Sequence, residues 1–346
     1  MKIRSIVIAV AVVTLGTAVV AAKWSFTPVR VDASVADPAV VFANRDEAHN
    51  GKLTEGYFSH DDHSLHYVEA GAGETVVFLH GFPSFWYSLS RQIDALKSDY
   101  HVVAVDGLGA GKSDAPLDVE AYKLENMAAH LNALIDHVGA KKVHLVGHDW
   151  GSAFAIGFAQ RYPDRVLSVT GLSAPSQNVS TYALQNDAAA KDTASYVERF
   201  KSANPLLIFA LGVDKSIYDG AYRPLVESGK LTSAEGKLFR NATSDPRRTN
   251  AHINWYRANV PHPDDITEKD FWPSRDARVA VPALYIWGED DQIYNRTAVA
   301  RLQDLSDKSS LIMLPGVGHW PHVREPEKVN AAIRAHIKAA GQADGS

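Results

Sequence analysis

The sequence predicts an α/β domain, a mostly parallel sheet flanked by helices with a helical cap inserted late in the chain. Three observations carry that prediction. Short apolar runs of strand length alternate with helix-period stretches, which is the pattern of strand–helix–strand units in a parallel sheet. The alternation stops after Ala174 and resumes at Val279, so the segment between them interrupts one sheet rather than starting a new one. Composition is globular, with 46% hydrophobic and 22% charged residues in 346, which excludes disordered, collagen-like and coiled-coil chains.

The elements follow in chain order. Lys2 and Arg4 precede an uncharged run from Ser5 to Ala22 rich in Val, Ile and Ala, so residues 1–22 read as an export signal or, given the length of the run, as an uncleaved N-terminal anchor. Export to the periplasm or outside the cell is the expected destination, and any membrane contact would run through residues 5–22. Residues 23–54 read as an N-terminal extension, and regular structure is expected from about Gly56. Strands are expected at Leu65 to Ala70, Thr75 to Leu79, His101 to Val105, Lys142 to Val146 and Val166 to Leu172, and again at Pro282 to Trp287 and Ser310 to Leu314. Between them, Met127, Leu131, Leu134, Ile135 and Val138 fall on one face of a helix expected over Asn126 to Val138. The core thus comprises 55–174 and 279–340, and the polar, aromatic-rich 175–278 forms the cap.

Charge and composition also remove whole classes of function. Lys and Arg number 35 against 40 acidic residues, a net charge of −5 that supplies no basic field for nucleic acid. With no cysteine there are no disulfides, iron–sulfur clusters, thiolate zinc sites or cysteine nucleophiles, so any nucleophile is oxygen or nitrogen. No cofactor or metal site is expected. Asp106 to Ser113 (DGLGAGKSD) ends like a phosphate-binding loop, but Asp106 stands where that loop needs its first glycine, so a structural turn is the better account. His60, Asp61, Asp62, His63 and His66 match no metal-ligand spacing and fall at an expected hairpin turn. Asn178, Asn241 and Asn295 open N-x-S/T triplets, which matter only in a glycosylating host.

The most informative stretch is Val143 to Gly151, VHLVGHDWG, an apolar strand that turns through Gly147, His148, Asp149, Trp150 and Gly151 into the small-residue helix start Ser152, Ala153. Glycines either side permit a tight strand–turn–helix elbow that holds the middle side chain out over the sheet. That side chain is Asp149, a carboxylate already anionic at neutral pH and able to attack a saturated carbon without a base to deprotonate it. His148, before it, is expected to be structural. The strand Thr75 to Leu79 ends in His80, Gly81, Phe82, Pro83, and the Phe82 amide is a candidate oxyanion donor. The Trp150 amide, unpaired at the helix start, is the second. Later strands end in Gly288-Glu289-Asp290-Asp291 and in Gly316-Val317-Gly318-His319-Trp320, giving the chain order nucleophile, acid, histidine. His319 is the candidate base for water and Asp291 its orienting acid, with Asp290 the neighbour that spacing does not separate from it.

With these residues in this order, roughly 55 to 338 resembles the α/β-hydrolases of the epoxide hydrolase and haloalkane dehalogenase branch. The aspartate in GHDWG narrows the resemblance to enzymes that form an alkyl-enzyme ester. Dehalogenases of this kind commonly clamp halide between the tryptophan after the nucleophile and an asparagine or tryptophan elsewhere, but here Phe82 stands where the asparagine often sits. Fluoroacetate-type relatives place arginines just after the nucleophile, where this chain has Trp150, Gly151, Ser152 and Ala153. The loop HGFPSFWYS is closer to epoxide hydrolases, and the resemblance implies two cap tyrosines that bond the epoxide oxygen. Tyr256 in NWYR matches one, and Tyr196 in SYVERF is placed like the other. The implied activity is opening of a small hydrophobic epoxide to a diol, with hydrolytic dehalogenation of an organohalide as the alternative. His80, Trp86, Trp255 and Trp320 are expected to line the pocket.

Overall fold

Apolar runs buried on both faces make the central strands. The computed structural model describes residues 37–44, 53–193, 195–202, 213–293 and 296–344. Its strands are β1 (Thr54–His60), β2 (His63–Ala70), β3 (Thr75–Leu79), β4 (His101–Val105), β5 (Val143–His148), β6 (Val166–Leu172), β7 (Ala283–Gly288) and β8 (Ser309–Leu314), in the sheet order β1-β2-β4-β3-β5-β6-β7-β8. β2 pairs antiparallel with both β1 and β4, and every later pairing is parallel. Alternation along β3 divides the core into two layers: Val77 and Leu79 face one, Val76 and Phe78 the other.

Helices α1 (Pro38–Ala43), α2 (Ser90–Leu96), α3 (Leu124–His137) and α4 (Trp150–Arg161) precede or connect the first six strands. Leu131, Leu134 and Ile135 of α3 and Phe154 and Phe158 of α4 pack on the Val77 face, while Ile93 and Leu96 of α2 pack on the Val76 face. The expected helix at Asn126 to Val138 is α3, begun two residues earlier. Between β6 and β7 the described residues form helices and no strand: α5 (Gln177–Asn186), α6 (Ala188–Thr193), α7 (Ser195–Ser202), α8 (Val213–Ala221), α9 (Arg223–Glu227), α10 (Ser233–Ser244) and α11 (Pro246–Asn259). After β7 come α12 (Arg296–Asp304), α13 (Pro321–Arg324) and α14 (Pro326–Asp344), the last packing Val329, Ile333 and Ile337 against the Val76 face.

Two details of the amino-terminal half differ from expectation. β1 begins at Thr54, before Gly56, and the hairpin turn is confined to Asp61 and Asp62. His66 is not in that turn but buried in β2, its Nδ1 2.8 Å from Asp106 Oδ2. Asp106 also accepts from the Trp86 amide at 2.9 Å and the Lys112 amide at 2.9 Å, so the DGLGAGKSD turn is organised around a buried carboxylate. Of the Asn-x-Ser/Thr positions, Asn178 is buried with its amide donating to the Ser274 carbonyl at 3.1 Å. Asn295 and the export segment at 1–22 lie outside the described residues. Among the described residues no helix is long and apolar enough to cross a membrane.

Candidate active site

Parallel strands bring their carboxyl ends to one edge, and the turns leaving β3, β5, β7 and β8 meet there. Asp149 occupies the turn from β5 into α4 with φ 54° and ψ −123°, a conformation that costs an L residue about 1–3 kcal/mol and projects its carboxylate away from the helix. Glycine is required on both sides, because a Cβ at Gly147 would run into the Gly151 carbonyl and one at Gly151 into the Leu79 carbonyl. The Phe82 amide donates to Asp149 Oδ1 at 2.8 Å, and the Trp150 amide bonds the same carboxylate. Both expected donors therefore converge on Asp149 itself.

His319, in the loop after β8, places Nε2 3.3 Å from Asp149 Oδ2 and Nδ1 3.0 Å from Asp291 Oδ2. The two loops that carry this pair are tied together by the Asp290 amide, which donates to the Val317 carbonyl at 3.0 Å. The choice left open between neighbouring acids is settled by geometry: the Asp291 carboxylate is buried on His319 and accepts from the Ile293 amide at 2.8 Å, whereas Asp290 is exposed. His148 lies behind the base, its Nε2 donating to the His319 carbonyl at 2.8 Å and its ring 4.2 Å from that of His322.

Charge in this cluster is strongly biased. Burial works against the charged imidazolium of His319, but its bonds and charge interactions with Asp149 and Asp291 outweigh that and raise its pKa to about 10. Burial likewise works against ionised Asp149, yet the bond and positive charge of His319 bring its pKa below the ordinary carboxylate value. The resting site is an aspartate–imidazolium pair. Burial takes His148 the other way, down to about 4, so it stays neutral against the His319 charge.

An open pocket of about 330 Å³ joins Asp149 and His319 to Phe82, Pro83, Tyr256, Ile293 and Trp320 and to Ser216, Ile217, Gly220 and Ala221 of α8. Its walls are largely apolar. Tyr256, on α11, packs edge-to-face on Phe82 at 5.2 Å and on Trp150 at 5.1 Å. Tyr196 is on α7, and its side chain lies outside what is described. Of the four expected pocket residues only Trp320 lines this space. His80 is instead a loop brace, Nδ1 donating to the Gly81 carbonyl at 2.9 Å and Nε2 accepting from the Gly107 amide at 2.9 Å. Trp86 is buried core, packed on Phe42, Phe85 and Tyr87. Trp255 stacks on His80 and donates Nε1 to the Leu108 carbonyl at 2.9 Å; with the Trp150 ring it lines a separate apolar cavity towards α3. Motif proximity told which segment carries these rings but not which way they face. The α8 wall escaped the sequence reading because small and aliphatic residues carry no chemical signal, and Tyr222 was indistinguishable from other cap tyrosines.

Three comparisons with known proteins show what this chain is similar to. Residues 74–326 match the family model described as the alpha/beta hydrolase fold. Epoxide hydrolase 4 of Mus musculus is 30% identical over 293 residues, covering 81% of this chain and 78% of the relative. An epoxide hydrolase of Caballeronia sordidicola is 30% identical over 290 residues, covering 74% and 85% respectively. Among solved structures, a Bacillus megaterium epoxide hydrolase in complex with an inhibitor superposes with a TM-score of 0.74 at 24% identity, covering 82% of this chain and all of that one, a likeness of fold.

Proposed function

The chain belongs to the α/β-hydrolase fold family, and from that premise we propose that it is an epoxide hydrolase working through an ester on Asp149. One observation carries the reading: a carboxylate, where related folds can hold a serine, is clasped between the Phe82 amide at 2.8 Å and the His319 imidazole at 3.3 Å. The names of the relatives point to the same substrate class.

In the first step Asp149 Oδ2 attacks an epoxide carbon, the C–O bond breaks, and the ring oxygen leaves as an alkoxide. A phenol donates its proton to that oxygen, since a reference pKa of about 10 keeps it protonated at neutral pH yet acidic enough to serve an alkoxide. Tyr256, in the pocket wall, fills this role, and Tyr196 is proposed as its partner from its place in the cap. Esterification removes the charge of Asp149 and with it one of the two anions that hold the proton on His319, so the imidazolium gives that proton up to the phenolate left by the first step and becomes neutral. The imidazole, oriented by Asp291, then takes a proton from water as that water attacks the ester carbonyl. The oxyanion forms at Oδ1, on the Phe82 and Trp150 amides. Collapse returns the carboxylate and releases a vicinal diol.

The halide-releasing alternative loses support because the Trp150 ring faces Trp255 and Tyr256 and lines the inner cavity rather than the Asp149 pocket. Intact-mass measurement of His319→Gln after exposure to panels of epoxides and of alkyl halides tests the proposal. A hydroxyalkyl adduct on Asp149 from an epoxide is expected; an adduct from halides alone would transfer the protein to the dehalogenases, and none from either, in folded protein, would remove Asp149 as nucleophile. We also propose that residues 1–22 direct export. N-terminal sequencing of chain recovered outside the cytoplasm should begin near residue 23, and a wholly cytoplasmic product would end that reading.

A further inference from the structure

Tyr222 is fully buried at the junction of α8 and α9, yet its hydroxyl is not directed at another cap residue. It donates to the Pro83 carbonyl at 3.1 Å, and it also meets the Ser84 side chain. The amide one residue before Pro83 is the Phe82 donor that grips Asp149 Oδ1 at 2.8 Å. The ring lies parallel to Phe239 of α10 at 4.2 Å and 11°, and it also meets Tyr218 of α8 at 6.1 Å and Trp320, the residue that follows His319, at 5.2 Å. Gly220 and Ala221, immediately before it, form part of the pocket wall. One side chain thus touches the donor loop, the base loop and the cap.

We propose that Tyr222 is a positioning residue that holds the Phe82 amide on Asp149 and so couples the seating of the cap to the strength of the nucleophile's anion hole. Packing alone would be served by phenylalanine, because a buried hydroxyl brings a desolvation cost that only its hydrogen bond offsets. The acceptor is a carbonyl of the turn closed by the Ser84 amide on the Gly81 carbonyl at 3.0 Å, so the bond fixes the turn where the Phe82 N–H leaves it. The inference rests on Asp149 being the nucleophile.

The test compares the full chain with Tyr222→Phe in rapid-quench single turnovers of styrene oxide, following the ester on Asp149 by mass. Loss of a whole oxyanion-hole donor costs about 10²–10³ in rate, and a loosened one less, so hydrolysis of the ester, the step in which the Phe82 amide carries the oxyanion, is expected to slow by about tenfold. A weaker amide bond also disfavours the Asp149 anion, so the acid limb of kcat/KM moves to higher pH. Tyr218→Phe, one turn earlier on α8, should alter neither. Phe239→Leu, which keeps the hydroxyl but loosens its seat, should shift both in the same direction by less. Unchanged decay of the ester and an unchanged acid limb in Tyr222→Phe would overturn the positioning role whatever happens to thermal stability. Absence of any ester in the parent chain would overturn it together with the proposed function.

Discussion

At the scale of single residues, the site turns on a proton whose place depends on one charge. His319 holds its proton in the resting protein because two carboxylates face it, at 3.3 Å and 3.0 Å. Esterification of Asp149 cancels one of them, so the same imidazole becomes a base only after the first step has made water useful. Asp149→Asn imitates the neutral ester in shape and charge. Nitrogen NMR of His319 should place its titration near 10 in the parent chain and at least about one unit lower in Asp149→Asn, since a unit corresponds to only about 1.4 kcal/mol of lost charge interaction. An unmoved titration would mean that Asp291 alone sets the proton and that the two steps are not linked through charge. The linkage to folding has a definite sign. A histidine pKa raised on folding stabilises fully below its unfolded value of about 6.5, and that contribution fades as pH rises towards about 10.

At the scale of elements, the strands were legible because burial on both faces writes them as unbroken apolar runs: Thr75 to Leu79 and Val166 to Leu172 were read to the residue. β1 was not, since an edge strand exposed at Thr54, Glu55, Tyr57 and Ser59, with only Phe58 buried, resembles polar linker until its partner is known. The elbow announced itself through glycines, whose need is steric and therefore local. Facing was hidden. His80 and Trp86 sit in or beside the loop after β3 and Trp255 within α11, and all three were expected at the pocket, but side-chain direction there is set by tertiary bonds to Gly107, by packing on Phe42 and by the Leu108 carbonyl, none of which sequence spacing encodes. His66 was hidden for the same reason, its partner Asp106 lying across the sheet. The choice between Asp290 and Asp291 likewise needed the loop that carries His319 before one could be seen to turn inwards and the other out.

At the scale of the whole molecule, the insertion between β6 and β7 has to be held to the core at enough points for Tyr256 to stand over Asp149. α11 has its own ties to the core. Asn259 accepts from the Leu124 amide at 3.0 Å and donates to the Tyr122 carbonyl at 2.8 Å, while Trp255 reaches the Leu108 carbonyl at 2.9 Å. Another attachment centres on Glu235 of α10, a buried carboxylate that accepts from the Thr232 amide at 2.8 Å and from the Tyr87 hydroxyl at 3.4 Å, with Arg91 as its ion-pair partner at 3.4 Å. Removing one member of such a cluster leaves the others buried without compensation, so Glu235→Ala is expected to lower unfolding free energy by about 2–4 kcal/mol. Because α11 keeps its own ties, turnover per folded molecule should stay within about threefold of the parent chain, a change of only about 0.7 kcal/mol in activation free energy. Urea midpoints and saturating rates on the same samples distinguish the two effects. A parent-like midpoint with turnover reduced by tenfold or more would instead place Glu235 in the geometry of the site, and the cap would then have to be treated as a single lever rather than as a body fastened at several points.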